Sequence, residues 1–284
     1  MPQNLTVINC QGKEEQFSFK KVYHSARRAG VDHKLAKQIA EKIEAESYPG
    51  IETRKIFHRI KSILDQQAPA TSMRFSLKKG MRKLGPTGFP FEKYVKRVLE
   101  NHGFKIKINQ LVPGQCLSAY EIDFVGEDKT RAVFVGECKY RVAAGDRVDL
   151  EKALANYARF LDIGNGSFLR QNYQVGQKLK SLLVTNAKFT SQAIKYSRCM
   201  GVELLGWRYP QNQGLEYLIE SKQLYPITIL PSVTPALLQI FSQQQIMLAK
   251  GLLEHPVTEL EKKLGLQAGQ LQPLVKETQV LLEK

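Results

Sequence analysis

The chain has 284 residues and a formal net charge of +15, because 42 Lys and Arg side chains outnumber 27 Asp and Glu side chains. This surplus favours a polyanionic partner, with nucleic acid ahead of an anionic membrane surface. No stretch approaches the roughly 18 consecutive apolar residues of a membrane span, and the N-terminus lacks the pattern of a signal peptide. These features exclude a transmembrane chain, and we expect a cytoplasmic protein with no membrane partner.

Residues 1–67 predict a small, mainly helical domain. A short strand, a turn at residues 11–13 and a second extended segment come first. Three helices should follow, with Gly30 as the C′ residue of the first and Asp32 as the N-cap of the second.

A basic segment at residues 68–83 is interpreted as an interdomain linker, because it carries Pro, Gly, Ser and Thr. No acidic residue occurs between Asp65 and Glu92. Its cations are candidates for contacts with DNA phosphates. These candidates are Lys78, Lys79, Arg82 and Lys83.

Residues 84–225 predict an α/β domain. A core-facing helical stripe begins at Phe91, and three strand-like segments follow, the last two joined by a turn at residues 126–130. A helix at residues 149–164 and a strand–helix–strand unit at residues 180–207 complete it. Residues 226–284 predict a neutral helical domain, so the whole chain should be a multidomain α/β protein.

The four cysteines are far apart and form no CxxC pair, so their spacing supports no zinc site. A disulfide framework is not expected in a cytoplasmic chain of this length. We expect Cys10, Cys116, Cys138 and Cys199 to be mostly buried thiols.

One constellation indicates chemistry. Glu137 and Lys139 lie two apart on a predicted strand and should share a face, with Cys138 pointing into the core. Across the hairpin, Asp123 can lie beside Glu137. The two carboxylates could bind Mg²⁺, or alternatively Mn²⁺, and Lys139 could orient a water, which together suit phosphodiester hydrolysis. A lone Glu-x-Lys pair is otherwise most often a surface ion pair.

Asp123, a hairpin and then Glu137-Cys138-Lys139 resemble the PD-(D/E)XK nucleases. The preceding "GFPFEKYVKRVLENHGFKI" and the following "LLVTNAKFTSQAIKYSRCMGVELLGW" resemble the Mrr-type restriction endonuclease branch over about residues 84–208. The resemblance implies Mg²⁺-dependent DNA cleavage with roles for Asp123, Glu137 and Lys139. Ile122 stands where the family name has Pro.

Other residues near this set have alternative interpretations. Glu92 matches a Glu near the start of the family's first helix and is either a further catalytic ligand or a solvated side chain. Glu121 shares the face of Asp123 and is the rival ligand. Asn186 either carries function or caps its turn, and Tyr140 and Arg141 either reach phosphate or are solvated.

Residues 4–67 resemble the ATP-cone, a nucleotide-sensing domain, through "LTVINCQGKEEQFSFKKV" and "GIETRKIFHRIKSIL". The resemblance implies ATP or dATP as ligand and nucleotide contacts at Lys21 and Thr53. Asn9-Cys10-Gln11-Gly12 replaces the family's Lys-Arg-Asp-Gly turn, so we expect weak binding or none.

The C-terminal "LEKKLGLQAGQLQPLV" weakly resembles helix-hairpin-helix DNA-binding domains. Alternatively, these helices pack on the nuclease domain or on a second subunit of a homodimer. The sequence predicts a Mg²⁺-dependent DNA endonuclease in restriction of foreign DNA or DNA repair. The alternative is a non-catalytic, nucleotide-responsive regulator that binds DNA.

Overall fold

The computed structural model describes residues 5–85 and 89–283. Within them the fold is mixed α/β and divides into two compact units. The first unit contains residues 5–81, 227–234 and 252–283, and the second contains residues 82–226 and 235–251. No helix in these ranges is both long enough and apolar enough to cross a membrane.

The first unit opens with a three-stranded sheet and a set of helices around one apolar core. Its elements in chain order are β1 (Thr6–Ile8), β2 (Glu14–Gln16), α1 (Phe19–Arg28), α2 (His33–Glu46), β3 (Ile51–Glu52), α3 (Thr53–Gln67), α4 (Pro69–Phe75) and α5 (Leu77–Met81). The predicted caps are confirmed, because Asp32 accepts the Leu35 N–H and Gly30 has a left-handed φ of +94°. Strand β3, which pairs parallel with β1, was not predicted.

The predicted linker at residues 68–83 instead holds the helices α4 and α5. Met73, Leu77 and Met81 recur every four residues and are all buried. This spacing places the three side chains on one face of a helix, as an apolar stripe. The Pro, Gly, Ser and Thr residues of the segment favour a linker, so the sequence did not predict the helices.

The second unit is built on a five-stranded sheet. Its elements are α6 (Phe89–Asn101), β4 (Lys105–Val112), β5 (Tyr120–Glu127), β6 (Val133–Cys138), β7 (Arg147–Val148), α7 (Leu150–Asn165), α8 (Phe168–Asn172), β8 (Leu179–Val184), β9 (Lys188–Phe189), α9 (Ser191–Met200), β10 (Val202–Leu205), α10 (Leu215–Ser221) and α11 (Pro235–Gln243). The strand order is β10-β8-β6-β5-β4, and β7 and β9 form a separate two-stranded sheet.

Connections within the large sheet follow the predicted pattern. Strands β4, β5 and β6 pair antiparallel, whereas β6, β8 and β10 pair parallel. The predicted strand–helix–strand unit is confirmed as β8–α9–β10, with Thr190 as N-cap and Gly201 in the left-handed region at the end of the helix. The carboxyl ends of β6 and β8 therefore lie side by side.

The C-terminal residues, predicted as one domain over residues 226–284, are shared between the two units. The last helices of the first unit are α12 (Val257–Leu264) and α13 (Ala268–Leu282), joined by a turn at Gly265. The expectation about the thiols is wrong, because Cys10, Cys116 and Cys199 are exposed and Cys138 is buried. The three exposed cysteines lie in turns or on a helix surface, where spacing in the sequence gives no sign of burial.

Candidate active site

The predicted hairpin places Asp123 next to the end of β6. The β5–β6 ladder runs from Glu127 opposite Val133 to Phe124 opposite Gly136. At the next position of β5, the hydrogen-bond acceptor for β6 is the Asp123 side chain instead of the backbone, because Asp123 Oδ2 accepts the Cys138 N–H at 2.6 Å. The carboxylate is thereby fixed at the end of β6.

Strand β4 is distorted on the other side of Asp123. The β4–β5 register pairs Ile108 with Phe124 and Gln110 with Ile122, on either side of Asn109 and Asp123. Asn109 has φ +53°, a left-handed conformation that Asn tolerates better than most side chains but that still costs energy. Asp123 thus lies where both neighbouring ladders depart from regular pairing.

Glu137 and Lys139 share one face, as the alternation along the strand predicted. Lys139 Nζ donates to Glu137 Oε1, and Arg159 Nη1 donates to Glu137 Oε2. Glu137 is only 7% exposed, so its charge is buried and both carboxylate oxygens are held by cations. A buried carboxylate needs such partners, because an unpaired one would lose its hydration without compensation.

Glu92 belongs to the same group of charges. It lies in the first turn of α6 and is partly buried. Burial, followed by the charges of Asp123 and Glu137, raises the pKa of Glu92 to about 7. Burial and then the charge of Glu137 also raise the pKa of Asp123. Three carboxylates therefore act on one another in a partly dehydrated site, a condition that often marks functional positions.

The β8–α9 loop braces the backbone that follows β6. Val184 O accepts the Lys139 N–H at 2.8 Å, and Thr185 Oγ1 donates to Lys139 O at 2.6 Å. Asn186 makes two bonds of 2.8 Å with Arg141, accepting its N–H and donating to its C=O. Asn186 is buried, and its two bonds hold the segment next to Lys139.

Tyr140 joins this segment to residues that precede α6. Its hydroxyl donates to Arg82 O at 2.6 Å, and burial raises the Tyr140 pKa to about 12. Arg82 and the exposed Lys83 belong to the second unit together with the carboxylates, whereas Lys78 and Lys79 lie on α5 in the first unit. The four predicted phosphate contacts are therefore divided between the units.

Glu121, the rival ligand, is exposed opposite Leu111 of β4. None of the pKa shifts of Glu92 and Asp123 involves its charge. The charge of Glu137 therefore acts on Asp123 and Glu92, and Glu121 does not contribute to either shift.

Arg159 was missed by the sequence analysis. It lies on α7 between the buried Asn156 and the buried Ile163, three and four residues away, and so falls on the buried face of that helix. A charged residue on a predicted apolar face is a signal that could have identified it. Which strand this face covers depends on packing between distant segments.

Lys21 and Thr53 both line a pocket of about 300 Å³ in the first unit. Phe57 and Phe75 also line it, and their rings stack with centroids 4.9 Å apart. Lys21 Nζ lies 3.1 Å from Glu15 Oε2, so one carboxylate already partners this cation. Asn9-Cys10-Gln11-Gly12, where ATP-cone domains have Lys-Arg-Asp-Gly, forms a turn. Asn9 closes it, since its Oδ1 accepts the N–H groups of residues 11 and 13.

The residues of the site fit a hard divalent cation. Asp123, Glu137 and Glu92 offer oxygen atoms alone, and their mutual repulsion would be relieved by positive charge. Within the described residues, no three His, Cys, Asp or Glu side chains form a ready-made metal cage. Mg²⁺ is commonly held by one or two carboxylates and keeps several waters, so a complete cage is not required.

Comparisons with known proteins give one family. Residues 225–282 match the family described as AF1548-like, C-terminal. An uncharacterised protein of Archaeoglobus fulgidus is 42% identical over 137 residues, which cover 47% of this chain and 70% of that protein. The crystal structure of AF1548, a protein of unknown function, is similar with a TM-score of 0.58 and 32% identity, over 68% of this chain and 97% of that one.

Two further solved structures show weaker similarity. A repair endonuclease from Pyrococcus abyssi has a TM-score of 0.27 and 24% identity, over 38% of this chain and 39% of that one. A complex of EndoMS with dsDNA has a TM-score of 0.29 and 21% identity, over 40% and 42%. The relative from Archaeoglobus fulgidus and the AF1548 structure, by contrast, are matched over most of their own length, and this chain belongs to the AF1548-like family.

Proposed function

We propose that the protein is a metal-dependent DNA endonuclease of the PD-(D/E)XK type. The observation that carries this proposal is the convergence of Glu92 on α6 and Asp123 on β5 with Glu137 and Lys139 at the end of β6. Grouped carboxylates, two of them with raised pKa values, next to an ammonium are a set suited to phosphoryl chemistry.

Asp123 and Glu137 would hold the Mg²⁺ or Mn²⁺ ion, with Glu92 as a further oxygen ligand. A bound divalent cation would supply positive charge beside the scissile phosphate. Lys139, held by Glu137 through its side chain and by Val184 and Thr185 through its backbone, would orient the attacking water and offset phosphate charge.

DNA is the proposed substrate because the chain carries a net charge of +15. Arg82 and Lys83 lie in the unit that holds the site, and Tyr140 joins Arg82 to the segment that follows Lys139. Arg82 and Lys83 are the proposed phosphate contacts near the site, and Lys78 and Lys79 are further proposed phosphate contacts. The Mrr-type assignment, a cytoplasmic location and a task in restriction or repair remain parts of this proposal.

The second candidate is a regulator that binds DNA without cutting it. It is favoured by the pocket in the first unit, which Lys21 and Thr53 line. It is disfavoured by the retention of Asp123, Glu137 and Lys139 together, because a binding domain has no need of a buried carboxylate held beside an ammonium.

The deciding experiment incubates the full chain with plasmid, duplex, single-stranded and branched DNA in Mg²⁺ and in EDTA. We expect cleavage in Mg²⁺, and Asp123→Ala and Lys139→Ala should each lower its rate by at least about a hundredfold, as loss of one preorganised group commonly does. DNA binding should persist in both variants. Glu121→Ala is the matched control, since it removes an exposed carboxylate two residues from Asp123. Cleavage by either active-site variant at the wild-type rate would refute the assignment.

A further inference from the structure

Arg159 is held between Glu137 and an aromatic side chain. Its Nη1 donates to Glu137 Oε2, and its guanidinium carbon lies 6.0 Å from the centre of the Tyr120 ring. The Tyr120 hydroxyl donates to Asp162 Oδ2 at 2.9 Å, and Asp162 Oδ1 accepts the Cys116 N–H at 2.9 Å. A continuous set of contacts therefore runs from the β4–β5 loop to the buried carboxylate.

The two cations on Glu137 are placed differently. Lys139 follows Glu137 by two residues on the same chain segment, and bonds to Val184 and Thr185 fix its backbone. Arg159 reaches Glu137 from α7, a separate element, by a long side chain that is 30% exposed. Both side chains are 30% exposed, and Arg159 is the one of the two cations that is anchored outside β6 and the segment that follows it.

We propose that Arg159 is a positioning residue that competes with the divalent cation for Glu137. This inference rests on the proposed function, because it assumes a metal site at Asp123 and Glu137. While Arg159 and Lys139 are bonded to Glu137, each of its carboxylate oxygens already accepts one hydrogen bond, and two cations share its single negative charge. A guanidinium and a divalent cation beside one carboxylate also repel each other. Withdrawal of Arg159 would therefore free Oε2 and leave Glu137 with negative charge for the ion.

The test is a titration of the full chain with Mn²⁺ in the absence of DNA, with free Mn²⁺ followed by electron paramagnetic resonance. Arg159→Met keeps much of the side-chain length and removes the charge, and we expect it to bind Mn²⁺ about tenfold more tightly, the equivalent of one charge-assisted hydrogen bond. Arg159→Lys, which keeps the charge, should stay closer to the wild type. Arg170→Met changes an exposed arginine of the same unit and should have no effect.

A second variant pair tests the aromatic contact. Tyr120→Leu removes the ring beneath Arg159 and should shift Mn²⁺ affinity in the same direction by a smaller factor. Tyr120→Phe keeps the ring and loses the bond to Asp162, and it should resemble the wild type more than Tyr120→Leu does. Fluorescence of Trp207, the single tryptophan, which is buried in this unit, verifies that each variant is folded.

The outcomes separate the two proposals. If the wild type binds Mn²⁺, Asp123→Ala abolishes binding and a folded Arg159→Met binds no more tightly than the wild type, the inference about Arg159 is wrong and the metal site stands. If neither the wild type nor Arg159→Met binds Mn²⁺ at millimolar concentration, both the metal site and the inference are wrong.

Discussion

Replacing Glu92 by Gln should stabilise the second unit at alkaline pH and have little effect at acidic pH. Burial and the charges of Asp123 and Glu137 raise the pKa of Glu92 from 4.5 to about 7. The folded state therefore favours the protonated carboxyl, and the stability that this proton contributes is present below pH 4.5 and is lost as the pH rises through 7. A neutral Gln of the same shape avoids the loss.

The magnitude follows from the size of the shift. A change from 4.5 to about 7 corresponds to about 3.4 kcal/mol, at about 1.36 kcal/mol for each pKa unit. Glu92 is only partly buried, so water screens part of this effect, and we expect about 2 kcal/mol. Glu92→Gln should therefore exceed the wild type by about 2 kcal/mol at pH 8, with the difference approaching zero near pH 4.5.

The assay is urea denaturation in EDTA at a series of pH values, followed by the fluorescence of Trp207. Glu92 and Trp207 both lie in the second unit, so the signal reports the unit that carries the mutation. Comparing the variant with the wild type at each pH cancels the titration of all other groups. Glu121→Gln, at an exposed position, should show no such trend. An equal stability difference at pH 5 and pH 8 would refute the charge coupling in the site.

Three further predictions concern the bonds of Asn186, the packing of Gly136 and nucleotide binding by the first unit. Asn186→Ala should destabilise the second unit by about 1–3 kcal/mol in the same denaturation assay and slow cleavage, because it leaves the Arg141 N–H and C=O without their partner. Gly136→Ala should lower the stability of the second unit by at least about 1–3 kcal/mol, since its Cβ would lie 2.0 Å from the Phe124 ring. As a control, the Cβ of Gly164→Ala in α7 meets no atom closer than 4.0 Å, and this variant should be neutral or stabilising. Calorimetric titration of the full chain with ATP, dATP and ADP should show weak binding or none, because Lys21 is paired with Glu15, and a micromolar dissociation constant would contradict this.

The parts of the site that the sequence predicted are those that depend on local geometry. Alternation along one strand places Glu137 and Lys139 on the same face, and a short hairpin brings Asp123 next to them. The cap at Asp32 is likewise set by residues within three positions of each other. These features follow from backbone periodicity and need no knowledge of how distant segments pack.

The missed parts depend on packing between segments that are far apart in the chain. Arg159 reaches Glu137 across 22 residues, from a helix whose orientation is fixed by the sheet beneath it. Asn186 holds Arg141 across 45 residues. The helices α4 and α5 were missed for a different reason, because turn-forming residues hid the spacing of Met73, Leu77 and Met81.

The candidate site carries more negative than positive charge. Glu92, Asp123 and Glu137 carry three negative charges when ionised, and Lys139 and Arg159 carry two positive charges, which leaves a net charge of −1. A network that served only stability would be balanced, because an excess buried charge costs free energy and gains no compensating contact. Burial, followed by the charges of Asp123 and Glu137, raises the pKa of Glu92 to about 7, so a proton on Glu92 would neutralise the site. A divalent cation would also compensate the excess negative charge. With Arg159 present, the two positive charges of the ion would exceed that excess, so the ion would neutralise the site only after Arg159 has left Glu137.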